Sequence, residues 1–203
     1  MYIPAVNQVN DPEKLADFIT TYSFGILFSQ TEEGPWATHL PFVVKRGENH
    51  TLELLGHMAK VNPHWSKIRE EILVVFQGPH AYISPTWYGE KQTAPTWNYT
   101  AVHAYGRFEC VDNRDELIAI LEASIEQNES RFASPWRTDL SSEENERLME
   151  MVMGFRIQVH RLEGNFKLNQ HHTSERKQRT IAGLRQAGDP SSMQVADWME
   201  QET

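Results

Sequence analysis

Apolar residues recur along this 203-residue chain with two periods, and the commoner one is the period of two that is typical of β-strands. Seven segments have either this alternation or the continuous apolar composition of a buried strand: 24–30, 37–45, 51–56, 72–77, 81–84, 96–111 and 155–162. Gly78-Pro79 is expected to end the fourth segment, because proline cannot donate to a strand ladder. Gly106 is expected to form a bulge or bend inside the sixth.

Five segments have apolar residues three and four positions apart, which is the spacing of a helix with one buried face. They are 12–22, 63–71, 113–128, 142–153 and 174–187. Asn10 or Asp11 can cap the first helix, and Ser141 with Glu144 has capping-box spacing before the fourth. Gly188 is expected to end the fifth. The residues after 190 either fold back onto the protein or fray.

The predicted strands mostly follow one another in hairpin order, without a helix between each pair. This order favours an antiparallel sheet, because parallel strands need crossover connections. We therefore predict an α+β fold in which an antiparallel barrel is surrounded by peripheral helices. The length suits one compact domain, which we expect to span residues 1–188, with a C-terminal tail over 189–203.

The chain is acidic, with a formal net charge of −9. Proteins that bind DNA gain much of their affinity by neutralising phosphates, so this balance argues against direct DNA binding. The helix predicted over 174–187 nevertheless has a local excess of positive charge, in Arg176, Lys177, Arg179 and Arg185 against Glu175. This excess fits a solvated helix face or, alternatively, a phosphate or nucleic-acid contact.

No run of about 18 apolar residues is present, and residues 1–15 lack the basic and then apolar pattern of a signal peptide. We therefore expect a cytoplasmic protein that does not enter a membrane. Cys110 is the single cysteine, so an internal disulfide is excluded, and a packed thiol is expected.

The nine histidines do not have the spacing of a common metal-ligand set, so no metal site is predicted. His39 is a separate case because it falls in a predicted barrel strand, where it either lines a ligand cleft or is a hydrogen-bonded core histidine. The G-x-G-x-x-G, Walker, H-E-x-x-H and G-x-S-x-G motifs are absent, which removes the enzyme classes that they mark.

The stretch Gly56–Trp65 runs from a predicted strand into a predicted helix. Asn62 suits the N-cap and Pro63 the first helical position, and the free N–H groups at a helix entrance attract anions. Three nearby side chains add cationic or hydrogen-bonding groups: His57, Lys60 and His64. A phosphate is the natural occupant of such a place, and a capped helix with a solvated lysine is the simpler alternative.

The strand predicted from Thr96 onward places Trp97 and Tyr99 on one face, and Asn98 and Thr100 on the other. Thr96 and Asn98 can hydrogen-bond the polar edge of a ring, while Trp97 or Tyr99 can stack on its face. Packing of these aromatic residues in the core or in a subunit interface is the alternative.

Several blocks of this sequence, in the right order, resemble the PaiB family, FMN-binding proteins described as negative transcriptional regulators. The blocks are His39–Phe42, Gly56–Trp65, Phe76–Pro85, Pro95–Tyr99, Gly154–Ile157 and Phe166–Gln170. That family is similar to the pyridoxamine phosphate oxidase group of split β-barrels, which are homodimers with an FMN in each of two interface clefts. The resemblance therefore implies an FMN-binding, homodimeric split β-barrel.

The resemblance also implies positions for the flavin. Its phosphate would lie near Lys60 and the Asn62 helix entrance, and its ring across the dimer interface. The residues edging the ring would be Thr38, His39 and Leu40 from one strand and Thr96, Trp97 and Asn98 from the facing side, with Lys167 and Gln170 supplied by the partner subunit. Asn169 departs from the family, where Ser is common, so no role is carried over to that side chain.

Three functions stay open. The first is a flavin-dependent protein, either an FMN-dependent oxidoreductase or a flavin-sensing repressor of sporulation and degradative-enzyme genes, the role that the resemblance implies. The second is a haem-binding or haem-degrading split barrel that uses His171 and His172, and the third is a scaffold without ligand chemistry. No basic recognition helix is visible, so any regulation is expected to be indirect. No general acid or base is evident, so no catalytic residue is predicted.

Overall fold

A computed structural model describes residues 1–48, 51–69, 71–90 and 93–202. Its helices and strands are, in chain order, β1 (Gln8–Val9), α1 (Pro12–Thr21), β2 (Phe24–Thr31), β3 (Gly34–Pro41), β4 (Val43–Arg46), β5 (Leu52–Ala59), α2 (His64–Lys67), β6 (Ile72–Ile83), β7 (Thr96–Val111), α3 (Arg114–Glu129), α4 (Glu146–Glu150), β8 (Val152–Lys167), α5 (Ser174–Ala187) and α6 (Pro190–Gln201). The chain forms two compact units. The terminal unit comprises Met1–Asp11, Gln77–Val102 and Glu163–Thr203, and the inner unit comprises Pro12–Phe76 and His103–Leu162.

In the described part of the chain, eight strands form one sheet in the order β3-β2-β6-β7-β8-β5-β4, and β1 pairs with β8. This confirms the predicted α+β class with an antiparallel sheet and peripheral helices. Within the inner unit, β3 and β4 stand at opposite ends of this order, yet Phe42 alone joins them along the chain. The sheet must therefore curl until its two ends approach each other, which is the arrangement of a split β-barrel.

Phe42 holds this junction in the core of the inner unit. Its side chain is fully buried, and its ring centroid lies 5.4 Å from that of Phe76 and 6.0 Å from that of Phe155. Its N–H donates to the Ser23 carbonyl at 2.9 Å. The single strand predicted over 37–45 is therefore wrong, because the chain exchanges β2 for β5 as its pairing partner at Phe42.

The break predicted at Gly78-Pro79 is also wrong, since β6 continues from Ile72 to Ile83. Strand β2 pairs with β6 opposite Leu73–Val75. Pro79 lies outside the residues of β6 that pair with β2.

Two predicted helices are shorter than expected. The helix predicted over 142–153 is reduced to α4, because Val152 already pairs with Ala59 as part of β8. The Ser141 hydroxyl bonds to Asp139 at 2.6 Å instead of forming a capping box. The helix predicted over 63–71 is reduced to the four residues of α2, because the backbone at Ile68 is extended and leads toward β6.

In the terminal unit, α5 and α6 form a helical hairpin. Gly188 ends α5 with a φ of 73°, a conformation that glycine adopts without strain. The Asp189 side chain then caps α6 by accepting from the Ser192 N–H at 3.0 Å. Residues 190–201 thus fold back as a helix, with Val195 and Met199 buried. This decides between the two alternatives that the sequence left for the tail.

Gly106 serves close packing, because a Cβ built on it would lie 2.5 Å from the Gln158 carbonyl oxygen and 2.7 Å from Ile157 Cγ2. We expect Gly106→Ala to destabilise the protein by about 2 kcal/mol or more, since β7 must shift away from β8. Urea unfolding measures this loss. Adding Gln158→Ala should recover nothing, because the clash is with a backbone carbonyl; recovery by that second change would contradict the explanation.

Candidate functional site

The residues predicted to bind a flavin are distributed over both units. Those in the inner unit are Thr38, His39, Leu40, His57, Lys60, Asn62 and His64. Those in the terminal unit are Thr96, Trp97, Asn98, Lys167 and Gln170. The local geometry of each set determines which side chains can meet a ligand.

The buried ring of His64 links strands β2 and β3 by hydrogen bonds. Its side chain is 0% exposed, with Nε2 2.8 Å from Ser29 Oγ and Nδ1 2.7 Å from Thr38 Oγ1. Burial lowers the pKa of this imidazole, so it is neutral at neutral pH. Because both ring nitrogens have partners, the ring offers no polar atom to a phosphate.

The main chain of Lys60 is fixed by hydrogen bonds, and its side chain is available to a ligand. Its N–H donates to the Met151 carbonyl at 2.8 Å, and its own carbonyl accepts from Trp65 Nε1 at 3.0 Å. Its side chain is exposed. The predicted cap is shifted by one residue, since α2 begins at His64 with Pro63 at the N-cap position, but Asn62 Oδ1 still accepts from the His64 N–H at 3.0 Å. A helix of one turn adds little dipole, so any attraction for a phosphate depends mainly on the Lys60 ammonium group.

A cleft of about 310 Å³ lies beside Lys60. Its charged lining residues are Lys60, Asp112, Arg114, Glu146 and Glu150, with two positive and three negative charges. Arg114 is bonded to Glu146, so Lys60 shares the cleft with the other two carboxylates. A cleft with a net charge of −1 does not favour a phosphate, which is better placed on the solvent side of Lys60.

His57 on β5 has an unused polar atom. Its side chain is half-buried, and its Nδ1 is buried with no hydrogen-bond partner among the described residues. Burial lowers its pKa, so it is a neutral imidazole at neutral pH. Buried polar atoms are normally paired, which makes His57 Nδ1 a candidate for a ligand contact.

Strand β3 places its predicted site residues differently. Leu40 is buried, Thr38 is half-buried, and His39 is exposed and stacks on the ring of exposed Phe24 at 6.3 Å. His39 is thus a surface residue, which excludes the hydrogen-bonded core histidine that the sequence allowed.

In the terminal unit, the start of β7 presents an exposed aromatic surface and an immobilised cation. Trp97 is 53% exposed, and its ring lies 6.0 Å from Tyr82, which meets it edge-on, and 6.1 Å from His80. Lys167 Nζ donates to Thr96 Oγ1 at 2.5 Å. A flat ring and an anionic or carbonyl oxygen are the groups that these side chains can bind.

The other face of β7 is buried, as the predicted alternation requires. Asn98 and Thr100 are both 0% exposed. The Asn98 amide donates to Met199 Sδ of α6 at 3.5 Å, and its Oδ1 has no partner within the described chain. Thr100 Oγ1 is likewise unpaired there. Asn98 therefore lies beneath α6 and not at the surface that Trp97 presents.

Gln170 stabilises the turn after β8. Its Nε2 donates to the Phe166 carbonyl, and its Oε1 accepts from the Leu168 N–H at 2.8 Å. Asn169, between them, is buried with a φ of 62°, a left-handed conformation that Asn tolerates. Since both ends of the Gln170 amide are bonded within its own turn, this side chain is a support for Lys167.

The arginines of α5 are paired within the terminal unit. Arg176 also lies over the Tyr88 ring, with 3.8 Å from its Cζ to the ring centroid. The partners of Arg176, Arg179 and Arg185 are the carboxylates of Glu90, Glu175, Asp197 and Glu200. This pairing favours the solvated helix face over a nucleic-acid contact.

His171 and His172 precede α5, with ring centroids 4.0 Å apart. Burial and the charges of His171 and Arg176 lower the pKa of His172 to about 4.

The pKa of the Cys110 thiol is raised by burial and by the nearby Asp112, as expected for a packed thiol. In the described ranges, no three His, Cys, Asp or Glu side chains are grouped to hold a metal ion, and no helix is long and apolar enough to cross a membrane.

Two residues that contact His64, Ser29 and Trp36, were not predicted from the sequence. Ser29 is a hydroxyl at an inward position of β2, where alternation alone would have identified it as a buried polar group in need of a partner. Trp36 stacks on His64 with centroids 5.9 Å apart, and Lys67 Nζ lies 4.7 Å from the Trp36 ring. No local pattern connects these residues, because they come together only when β2, β3 and α2 pack.

Comparison with known proteins gives matches over nearly the whole chain. A family model described as "Putative FMN-binding domain" matches residues 1–161. The Protease synthase and sporulation protein PAI 2 of Bacillus subtilis is 36% identical, over 98% of this chain and 97% of that protein.

Two solved structures share the fold. The FAD and Heme binding protein from Mycobacterium smegmatis superposes with a TM-score of 0.61 at 13% identity, covering 90% of this chain and 80% of that one. The flavocytochrome Anf3 from Azotobacter vinelandii superposes with a TM-score of 0.60 at 10% identity, covering 79% and 69%.

Proposed function

We propose that this chain, which belongs to the PaiB family of FMN-binding domain proteins, is a cytoplasmic homodimer that binds FMN. The observation that supports this most strongly is the family match over residues 1–161, together with 36% identity to PAI 2 along the chain. The two structural relatives described above are named as a flavocytochrome and as an FAD- and haem-binding protein, and both names refer to a flavin.

The residues present fit FMN in part. In the inner unit, Lys60 offers an exposed ammonium group for the phosphate, and His57 has a buried ring nitrogen without a described partner. In the terminal unit, Trp97 offers an exposed ring for stacking, and Lys167 offers a cation held by Thr96. We propose Thr38–Leu40, His57 and Lys60 of the inner unit as one set of FMN contacts, and Thr96 and Trp97 of the terminal unit as a second set. Lys167 is proposed to act on the flavin of the partner subunit.

Four predicted residues receive supporting roles in this proposal. His64, Asn62 and Gln170 use their polar atoms on neighbouring protein groups, and Asn98 lies beneath α6. Bound FMN would supply redox chemistry, whereas the side chains bind and orient it. We propose a flavin-responsive regulator before an oxidoreductase.

Regulation is proposed because the relative PAI 2 is named for protease synthesis and sporulation. The paired arginines of α5 and the net charge of −9 make an indirect route through a partner more favourable than DNA binding.

The test is an FMN titration of the purified protein. We expect the flavin absorbance bands to shift and flavin fluorescence to be quenched, with one FMN bound per chain, and a dimer by light scattering. Protein that leaves FMN fluorescence unchanged would contradict the cofactor assignment, and a monomer that binds FMN would contradict only the dimer.

Haem is the second candidate ligand, favoured by the adjacent rings of His171 and His172 and by the low pKa that keeps His172 neutral. A Soret band that appears on adding haem and disappears in the His171→Ala/His172→Ala variant would select it over FMN.

A further inference from the structure

His64 joins three segments of the inner unit through one buried ring. Its two nitrogens reach Ser29 on β2 and Thr38 on β3, and its own N–H reaches back to Asn62. Asn62 lies two residues from Lys60. The ring therefore connects the strand that carries Thr38–Leu40 with the turn that carries the Lys60 ammonium group.

The ring also determines what Thr38 can do. A neutral imidazole has one N–H and one lone pair, so one of its hydroxyl partners must donate to it and the other must accept from it. If Thr38 donates to Nδ1, its hydroxyl can only accept from a further partner, whereas a Thr38 that accepts from an Nδ1–H keeps its own O–H to donate. The tautomer of His64 therefore determines whether Thr38 can donate to a ligand.

The surroundings of the ring hold it in place. Trp36 stacks on it at an angle of 26°, and Lys67 lies over Trp36 while bonding to Glu33 at 2.6 Å. A fully buried ring that is bonded at both nitrogens and stacked on one face has one orientation. The distance between Thr38 and the Lys60 turn depends on that orientation.

We propose that His64 is a positioning residue that touches no ligand and fixes Thr38, the proposed contact of the flavin ring, relative to Lys60, the proposed contact of the flavin phosphate. This inference rests on the proposed FMN binding and adds a coupling between two parts of that site. It predicts that Lys60 contributes fully to affinity only while His64 is present.

The experiment is a double-mutant cycle on FMN affinity, measured by fluorescence quenching with the full-length protein. His64→Gln keeps a group near Nε2 for Ser29 and loses the one near Nδ1, whereas His64→Asn keeps a group near Nδ1 for Thr38. We expect His64→Gln to weaken FMN binding about tenfold and His64→Asn about threefold or less. Lys60→Ala should cost about thirtyfold in the wild type and about threefold in the His64→Gln background.

A matched control separates coupling from lost stability. Thr31→Ala removes the bonds that Thr31 Oγ1 makes with Gly34 and Glu33 in the β2–β3 turn, without touching His64. It should lower the melting temperature about as much as His64→Gln does and leave the FMN dissociation constant within twofold.

The outcomes are distinct. Wild-type protein that binds FMN but gives additive costs in the cycle overturns the positioning role and leaves the proposed function standing. The same holds if Thr31→Ala weakens FMN as much as His64→Gln does. Wild-type protein that does not bind FMN overturns both proposals.

Discussion

Lys60→Ala should weaken FMN binding between about tenfold and a hundredfold and change riboflavin binding by less than about threefold. A hydrogen bond to a charged group contributes about 1.5–3 kcal/mol, and each 1.4 kcal/mol corresponds to a factor of about ten in affinity. The main chain of Lys60 is fixed by Met151 and Trp65, so removing the side chain should leave the backbone in place. Parallel titrations with FMN and riboflavin measure the loss of affinity for each ligand. The difference between the two losses is the contribution of the phosphate, because the two ligands differ only in that group.

Lys45→Ala is the matched control, because Lys45 is an exposed lysine of the inner unit whose ammonium group is paired with Glu53 at 3.1 Å and does not contact His64 or Trp36. It should change FMN affinity by less than about twofold. Raising the salt concentration should weaken FMN binding by the wild type and have a smaller effect on Lys60→Ala. Equal losses of FMN and riboflavin affinity in Lys60→Ala would contradict the phosphate assignment.

The fold was largely predictable because alternation reports local burial. The predicted strand 96–111 coincides with β7, and the predicted helix 174–187 coincides with α5. The predicted elements are wrong where pairing with residues distant in sequence determines the secondary structure. The chain changes pairing partner at Phe42, and Val152 leaves a helical pattern because β5 offers it a partner. Neither event has a signal in the local sequence.

The sequence indicates which residues could belong to the candidate site. It indicates less well which of their side chains contact one another. The hydrogen bond from the His64 N–H to Asn62 follows from local spacing and is present, although α2 begins one residue later than predicted. The two hydroxyls that occupy the His64 ring are 35 and 26 residues away from it in sequence. The same limit applies to α5, whose arginines appear unpaired in sequence until Glu90 and α6 are folded against them.

Asn98→Leu should stabilise the ligand-free protein by about 1–2 kcal/mol and leave FMN affinity within twofold. The Asn98 side chain is fully buried, its amide has only the Met199 thioether as acceptor, and its Oδ1 has no partner in the described ranges. Leucine has the same branching and number of side-chain heavy atoms as asparagine and needs no hydrogen bond, and replacing a desolvated polar group by an apolar one removes the cost of its unmade hydrogen bonds. In a chain of this length, the melting temperature should rise by about 2–8 °C.

Thr100→Val is the control on the same face of β7, since it removes, at nearly constant shape, a buried hydroxyl that has no partner among the described residues. It should also raise the melting temperature, without affecting FMN. If Asn98→Leu lowers FMN affinity more than tenfold while Thr100→Val does not, Asn98 contacts the flavin after all. Because Met199 covers that side chain, such a contact would require α6 to move, so the same measurement decides whether α6 is a fixed part of the terminal unit or a cover that ligand binding displaces.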